Sequence, residues 1–189
     1  MPAAIIVLMN IEAIQHEANE AARQVGWGDG PERSFAEHLL LMHAEITEVY
    51  DEFDSGHGPT QIYEHNGKPE GIPIELADVC IRICDYLLTI GLSLSDFVDR
   101  NQETIVGNYN APLPSLVARW HRYLSQALEL WRKGGEPNDP ASGIADRLAA
   151  LWVDIQGWFQ YHEMDMEQVI RRKIAFNATR PYRHGGKRI

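Results

Sequence analysis

The chain has 189 residues and a formal charge of −10, with 44% hydrophobic and 23% charged residues, a composition typical of a globular protein and not of a disordered one. No apolar stretch is long enough to cross a bilayer, and the apolar segment 3–9 lacks the basic residues that begin a signal peptide. The acidic charge also disfavours broad nucleic-acid binding. We therefore expect a cytoplasmic protein with neither a nucleic-acid nor a membrane partner.

The charge is divided unevenly along the chain. Residues 1–110 contain five basic and 19 acidic side chains, a net charge of −14, whereas residues 111–189 contain 12 basic and eight acidic ones, a net charge of +4. Such asymmetry indicates that the two regions do different things. An acidic region suits hard metal ions and a basic region suits phosphate. Cys80 and Cys84 lie in an apolar run, which predicts buried reduced thiols.

Helical periodicity dominates the sequence and predicts an all-α bundle without strands. Ser34 with Glu37 predicts the start of the second helix, and residues 55–71, rich in Gly, Pro, Asn and His, predict a loop. The helices are expected over 3–25, 34–54, 73–90, 93–108, 115–133, 142–162 and 165–178. The aromatic residues of the second half stand at helical spacing and are expected in the core: Trp120, Trp131, Trp152, Trp158, Phe159 and Tyr161.

The two regions also resemble each other, with the segment 111–114 between them as a linker. At an offset of 72 residues Tyr86 falls on Trp158, and at an offset of 78 residues His43 falls on His121. Two amphipathic helix pairs can match by chance, but the same order of helix, stop and cap favours a duplication. We therefore predict two degenerate repeats, 1–110 and 111–189, packed as one globular unit, with His43 in a structural role.

Carboxylates are concentrated on two predicted helices. Glu45, Glu48 and Glu52 are spaced three and four apart, so they share a face of the second helix. Glu75 and Asp78 are also three apart, on a third helix that is otherwise almost wholly apolar. A helix that is apolar nearly all round is buried, and ionised carboxylates there need a compensating cation or partner.

Two ordinary explanations compete with a metal site. A run of Glu on one helix is usually a solvated face, and Asp78 with Arg82 can form an ion pair within one helix. The same layout of acids on two adjacent helices favours convergence into an oxygen-rich cage. Hard cations prefer oxygen ligands, so the pattern suits Mg²⁺, or Mn²⁺, better than Zn²⁺.

With these motifs the sequence resembles the MazG-like branch of the all-α nucleoside triphosphate pyrophosphohydrolases. The family motif is E-x-x-E, a spacer and E-x-x-D, which alone is a weak signal. Further blocks of this chain are similar to the phage and bacterial members, in the same order. The matching blocks are Gly26–Asp29, His43–Val49, Gly67–Val79 and Lys173–Lys187.

The resemblance implies Mg²⁺-dependent hydrolysis of a nucleoside or deoxynucleoside triphosphate to the monophosphate and pyrophosphate, with water attacking the α-phosphorus. Glu45, Glu48, Glu75 and Asp78 would hold one or two metal ions. One of these carboxylates, or Glu52, would orient the attacking water. Mn²⁺ could replace Mg²⁺.

One departure concerns the tail, which in the family follows the E-x-x-D helix directly. Here the second repeat stands between them, and it lacks the acids, because Glu45 falls on Tyr123 and Glu75 on Arg147. We interpret the chain as a fused pseudo-dimer with one complete site. The fused chain would be a monomer or would pair again as a homodimer.

The basic tail supplies candidate substrate-binding residues. Lys173, Asn177 and Arg180 are spaced by four and three, so they share a helix face that could bind phosphate, although a solvated basic tail would also fit. Trp27, between two glycines, could stack on a base or anchor a loop. Arg82, beside the acids of the third helix, completes the predicted substrate-binding set.

Two alternative functions stay open. One is a related enzyme dedicated to dUTP, dCTP or phosphoribosyl-ATP. The other is a helical bundle that binds a nucleotide or a protein partner without catalysis, since the second repeat has already lost its acids.

Overall fold

The computed structural model describes residues 9–27, 33–101 and 107–186. The described chain is mostly helical, so the all-α class is confirmed. The seven main helices are α1 (Ile11–Gln24), α2 (Phe35–Asp54), α3 (Ile72–Thr89), α4 (Leu94–Asn101), α5 (Leu113–Arg132), α6 (Ile144–Tyr161) and α7 (Met166–Ala178). The expected first turn of α1 from residue 3, the Gly28–Pro31 stop and the last three residues lie outside the described residues.

Side-chain caps begin three of the helices. Ser34 accepts from the Glu37 backbone N–H, and the Glu37 carboxylate accepts from the Ser34 N–H, which is the capping box that the sequence predicts. Asn10 caps α1 and Asp165 caps α7 in the simpler way, each through one side-chain oxygen.

A small β-hairpin lies where the sequence predicts only loop. Strands β1 (Tyr63–His65) and β2 (Lys68–Glu70) pair antiparallel, with Tyr63 opposite Glu70. Asn66 and Gly67 turn the chain with φ of 54° and 78°, the positive angles that a two-residue hairpin turn needs. The expectation of no strands was therefore wrong here, because strands of three residues have too few positions to show an alternating pattern.

The described part of the fourth helix is Leu94–Asn101. Gly107 and Asn108 are not helical, so the prediction of a helix that reaches residue 108 was wrong at these two positions. Residues 102–106, over which the predicted helix also extended, lie outside the described residues.

The core is centred on α3 and α6, whose side chains are buried nearly all round. Cys80 and Cys84 are fully buried free thiols on α3, as predicted. Four of the predicted core aromatics, Trp120, Trp152, Trp158 and Phe159, are also buried. Trp131 and Tyr161 are 40% and 49% exposed, so their assignment to the core was wrong.

The last helix of each predicted repeat packs on helices of the other repeat. Helix α7 lies against α1 and α3, and α4 lies mainly against α6. Helices α2 and α5 pack together, and the rings of His43 and His121 stack between them with their Nδ1 atoms 2.7 Å apart. This reciprocal packing is what a pseudo-two-fold relation would produce, while the duplication itself stays a prediction.

Among the described helices, none combines the length and the apolar character needed to cross a membrane.

Candidate functional site

A cluster of carboxylates lies where α2 and α3 face each other. Glu45 and Glu75 are 6% and 1% exposed, while Glu48 is exposed to solvent. One carboxylate oxygen from each of these three residues lies within 4.8 Å of the other two. The structure thus brings together three of the four predicted metal ligands.

Glu75 also belongs to a second carboxylate group. Its ligand oxygen lies within 4.8 Å of oxygens from Glu52 on α2 and Glu70 on β2. Glu52 accepts a hydrogen bond of 3.0 Å from the Tyr63 hydroxyl and pairs with His57 Nδ1 at 2.6 Å. Glu70 is absent from the sequence prediction because only the unforeseen hairpin brings it to the cluster.

Asp78, the fourth predicted ligand, faces α7 instead. Lys173 Nζ lies 2.8 Å from Asp78 Oδ2, and Asn177 Nδ2 donates to Asp78 Oδ1 at 3.3 Å. Lys173 is only 1% exposed. The basic helix predicted to complete the acidic site therefore does contact it, with Lys173 bound directly to a carboxylate.

Arg82 binds Glu45 rather than its helical neighbour Asp78. Its Nε donates to Glu45 Oε1 at 2.7 Å, and Nη2 contacts the same oxygen. The Asp78–Arg82 ion pair considered from the sequence is therefore not the one that forms among the described residues. The predicted role of Arg82 in substrate binding stays a prediction.

Burial raises the pKa of both inner carboxyls. Burial is the largest cause for Glu75, whose pKa rises to about 9, with Lys173 opposing the rise and Asp78 adding to it. Burial also raises the pKa of Glu45, reinforced by the charge of Asp78 and opposed by Arg82. One oxygen of Glu75, Oε2, is buried without a hydrogen-bond partner in the described chain. A bound cation would satisfy that oxygen and favour the ionised form of both groups.

The amide of Asn177 has a defined orientation. Its NH₂ group must face Asp78, since the carbonyl oxygen there would repel the carboxylate. Oδ1 is then a buried acceptor with no hydrogen-bond partner among the described residues. This oxygen suits a hydroxyl or a water. The Nδ2 group carries a second N–H besides the one on Asp78, so the predicted phosphate contact of Asn177 stays a prediction.

A cavity of about 380 Å³ opens from the carboxylate cluster and runs between α1, α2, α3 and α7. Its lining joins Glu45, Glu48 and Asp78 to basic groups from distant parts of the chain. The basic groups are Arg33, Lys68, Arg82 and Arg180. Of these, Arg82 and Arg180 belong to the predicted set, whereas Lys68 lies on the hairpin and Arg33 just before α2.

Trp27 lines the same cavity, close to the C-terminal turn. Its indole N–H donates to His184 Nε2 at 3.3 Å, and the Arg33 guanidinium lies 4.6 Å from the centre of its ring. His184 belongs to the short turn α8 (Arg183–Gly186), whose backbone has φ between 44° and 88°. Trp27 therefore lines a cavity in which a base could stack on it, and this stacking role stays a prediction.

Comparison of the chain with protein-family models, with curated proteins and with solved structures found no match.

Proposed function

We propose that the chain is a metal-dependent nucleoside triphosphate pyrophosphohydrolase, which releases pyrophosphate and leaves the nucleoside monophosphate. The observation that carries the proposal is the junction of two features. Carboxylate oxygens of Glu45, Glu48 and Glu75 converge within 4.8 Å at one end of a cavity of about 380 Å³ that is also lined by basic groups. Carboxylates for a cation beside cations for phosphate are the combination that a metal-bound polyphosphate requires.

The donor set fits Mg²⁺ or Mn²⁺. All the candidate ligands are carboxylate oxygens, and the unpartnered buried Oε2 of Glu75 is the position that most needs a cation. Glu45, Glu48 and Glu75 would hold the ion, and Asp78, which is paired with Lys173, would be the fourth ligand. Such an ion lowers the pKa of bound water and neutralises phosphate charge.

Glu52 would orient the attacking water. Its carboxylate is fixed by the Tyr63 hydroxyl and by His57, and it lies within 4.8 Å of Glu75. A carboxylate held beside the metal ligands can accept the proton of a water.

The basic residues divide into two roles. Lys173 is buried on Asp78, so it positions that carboxylate and balances its charge. Lys68 and Arg180 line the cavity and are the groups that would contact the phosphates as pyrophosphate leaves.

The decisive experiment measures pyrophosphate release from a panel of ordinary and modified nucleoside triphosphates. We expect release with Mg²⁺ or Mn²⁺ and none with EDTA. The panel also tests the dedicated alternative, because one strongly preferred substrate among dUTP, dCTP and phosphoribosyl-ATP would favour it. No release from any substrate with either metal would overturn the proposal.

A second candidate function is nucleotide binding without hydrolysis. The specific observation in its favour is that two predicted ligands are already paired, Glu45 with Arg82 and Asp78 with Lys173. A nucleotide-dependent rise in melting temperature with no pyrophosphate released would support this alternative.

A further inference from the structure

The cavity has a second end, away from the carboxylate cluster, that the proposed reaction does not use. Helix α3 runs along the cavity and contributes Asp78 near the cluster and Asp85 seven residues further on. Since a helix rises about 1.5 Å per residue, the two positions lie roughly 10 Å apart along the helix axis. That span leaves room for the sugar and base of a nucleotide whose phosphates lie at the cluster.

The walls near Asp85 combine an apolar surface that suits a flat ring with the guanidinium groups of Arg33 and Arg82, whose charges act on Asp85. Small side chains of α1 line the cavity there, together with Ile81 of α3 and the indole of Trp27. The indole is held by its hydrogen bond to His184 and by Arg33, so it is a fixed surface. The small side chains are Ala18, Ala21 and Ala22 of α1 and Val25, which follows the helix.

Asp85 supplies the directional polar group at this end. Asn19 Nδ2 donates to Asp85 Oδ1 at 2.8 Å, which fixes the carboxylate. Within the described chain Oδ2 has no hydrogen-bond donor, and the residue is only partly buried. Burial raises the pKa of Asp85, while the hydrogen bond from Asn19 and the charges of Arg33 and Arg82 oppose the rise. In its ionised form this carboxylate accepts hydrogen bonds and donates none, so a ligand group that meets it must be a donor.

We infer that this end of the cavity selects a nucleobase with an exocyclic amino group, as in cytosine or adenine, which donates to Asp85. A base with an oxygen at that position, as in uracil or hypoxanthine, places two acceptors against each other. Acidic side chains read the amino group of cytosine in the same way in nucleic-acid complexes. The inference rests on the proposed function only for the direction of the nucleotide in the cavity.

The test uses matched nucleoside monophosphates, the products of the proposed reaction, in Mg²⁺ buffer. Isothermal titration compares dCMP with dUMP and dAMP with dIMP, pairs that differ by an amino group against an oxygen. We expect the amino member of at least one pair to bind about tenfold or more tightly. Equal affinity within both pairs, or no binding by any of the four, overturns the inference.

The variant Asp85→Asn sharpens the test. Its amide can accept from an amino group or donate to an oxygen, so the preference between pair members should disappear. Asp51→Asn, the same change at an exposed position on α2, should keep the preference. An amino preference that survives in Asp85→Asn overturns the inference. The native chain alone tests the inference with the four nucleotides, so the inference can still be overturned if the variant does not fold.

Pyrophosphate release, measured in parallel, separates the two proposals. Release without any base preference overturns the base inference alone. Amino-selective binding without release supports the base inference and overturns the hydrolase.

Discussion

Two helix pairs of this molecule hold polar groups between them. They differ in whether a cavity or a packed side chain adjoins those groups. Between α2 and α3, Arg82 binds Glu45 beside further carboxylates, and a cavity of about 380 Å³ adjoins them. Between α5 and α6, Arg119 forms two hydrogen bonds of 2.7 and 2.9 Å to Asp154, which is fully buried.

Tyr109 closes the second pair. Its hydroxyl donates to Asp154 at 3.0 Å, and its ring packs on Gly157, where a Cβ atom would lie 2.1 Å from the hydroxyl oxygen. At the offset of 72 residues, Gly157 corresponds to Asp85, the residue at the far end of the open cavity. The polar groups between α5 and α6 are thus hydrogen-bonded in a filled core, whereas those between α2 and α3 adjoin an acid-rich cavity. Unbalanced carboxylates, not the helix pair itself, therefore mark the candidate site.

We expect the largest loss of activity from substitutions in the carboxylate cluster between α2 and α3. Glu75→Gln removes a ligand from both carboxylate groups and should lower pyrophosphate release by more than about 100-fold, beyond the 10–100-fold typical of a residue that only supports a metal ligand. Glu48→Gln should act likewise. Because the pKa of Glu75 is raised to about 9, the neutral Gln resembles its metal-free form and the fold should survive.

The matched control is Glu136→Gln, the same change at an exposed position between α5 and α6. It should keep full activity. Normal turnover in both Glu48→Gln and Glu75→Gln would sink the metal assignment.

The next effect concerns stability, and it contrasts a buried with an exposed ion pair. Lys173→Met leaves Asp78 without its cation, which should lower the free energy of unfolding by about 3 kcal/mol. Arg171→Met, two residues earlier on the same helix, breaks partly exposed pairs with Glu17 and Glu167 and should cost less than about 1 kcal/mol. Urea unfolding measures both.

Adding Asp78→Asn to Lys173→Met removes the stranded charge and should recover part of the loss. Equal costs for Lys173→Met and Arg171→Met would show that the buried pair has no special weight.

The next prediction concerns the filled packing between α5 and α6, where Gly157 contacts Tyr109. Gly157→Ala puts a methyl group where the Tyr109 hydroxyl lies, so we expect a loss of about 1–3 kcal/mol in unfolding free energy. Pyrophosphate release by the folded fraction should be unchanged, because the open cavity is untouched. The control Gly58→Ala meets no atom closer than 4.0 Å and should be neutral. A neutral Gly157→Ala would contradict the packing described here.

The smallest effect lies where the two halves meet. Burial lowers the pKa of His43 and of His121, and for His43 the charge of His121 lowers it further. The unfolded chain then binds these protons at higher pH than the folded chain. Stability is therefore complete above a pH of about 6.5 and falls as the pH drops through the lowered folded values.

Urea midpoints between pH 7 and pH 5 measure this loss. His38 contributes in the same direction, since burial lowers its pKa to about 4. His121→Gln should make the pH dependence shallower without abolishing it. An unchanged dependence in His121→Gln would exclude the stacked pair as a source.

Much of the fold follows from local sequence, whereas the pairing at the site does not. The capping box at Ser34 and the length of α2 follow from cap chemistry and apolar spacing. Sequence spacing also brings Glu45 and Glu48 to one face. It does not reveal whether Arg82 turns to Asp78 on its own helix or to Glu45 on the next, because both choices satisfy the same charge.

Other misses have equally physical causes. Glu70 joins the cluster only through a hairpin too short to predict, and Asp85 gains meaning only from the cavity beside it. Trp131 and Tyr161 keep helical spacing but stand at the ends of α5 and α6, where their helices leave the core. Periodicity predicts which face of a helix a side chain lies on, but it does not predict whether other helices cover that position.

The contact of α7 with α3 has a consequence for the order in which the molecule can be assembled. Asp78 is translated well before Lys173, so a ribosome-bound chain that has finished α4 holds its acids without the ammonium that neutralises them. Burying α3 at that stage would be costly. We therefore expect the first four helices to stay loosely packed on the ribosome until α7 emerges, which limited proteolysis of stalled chains can detect.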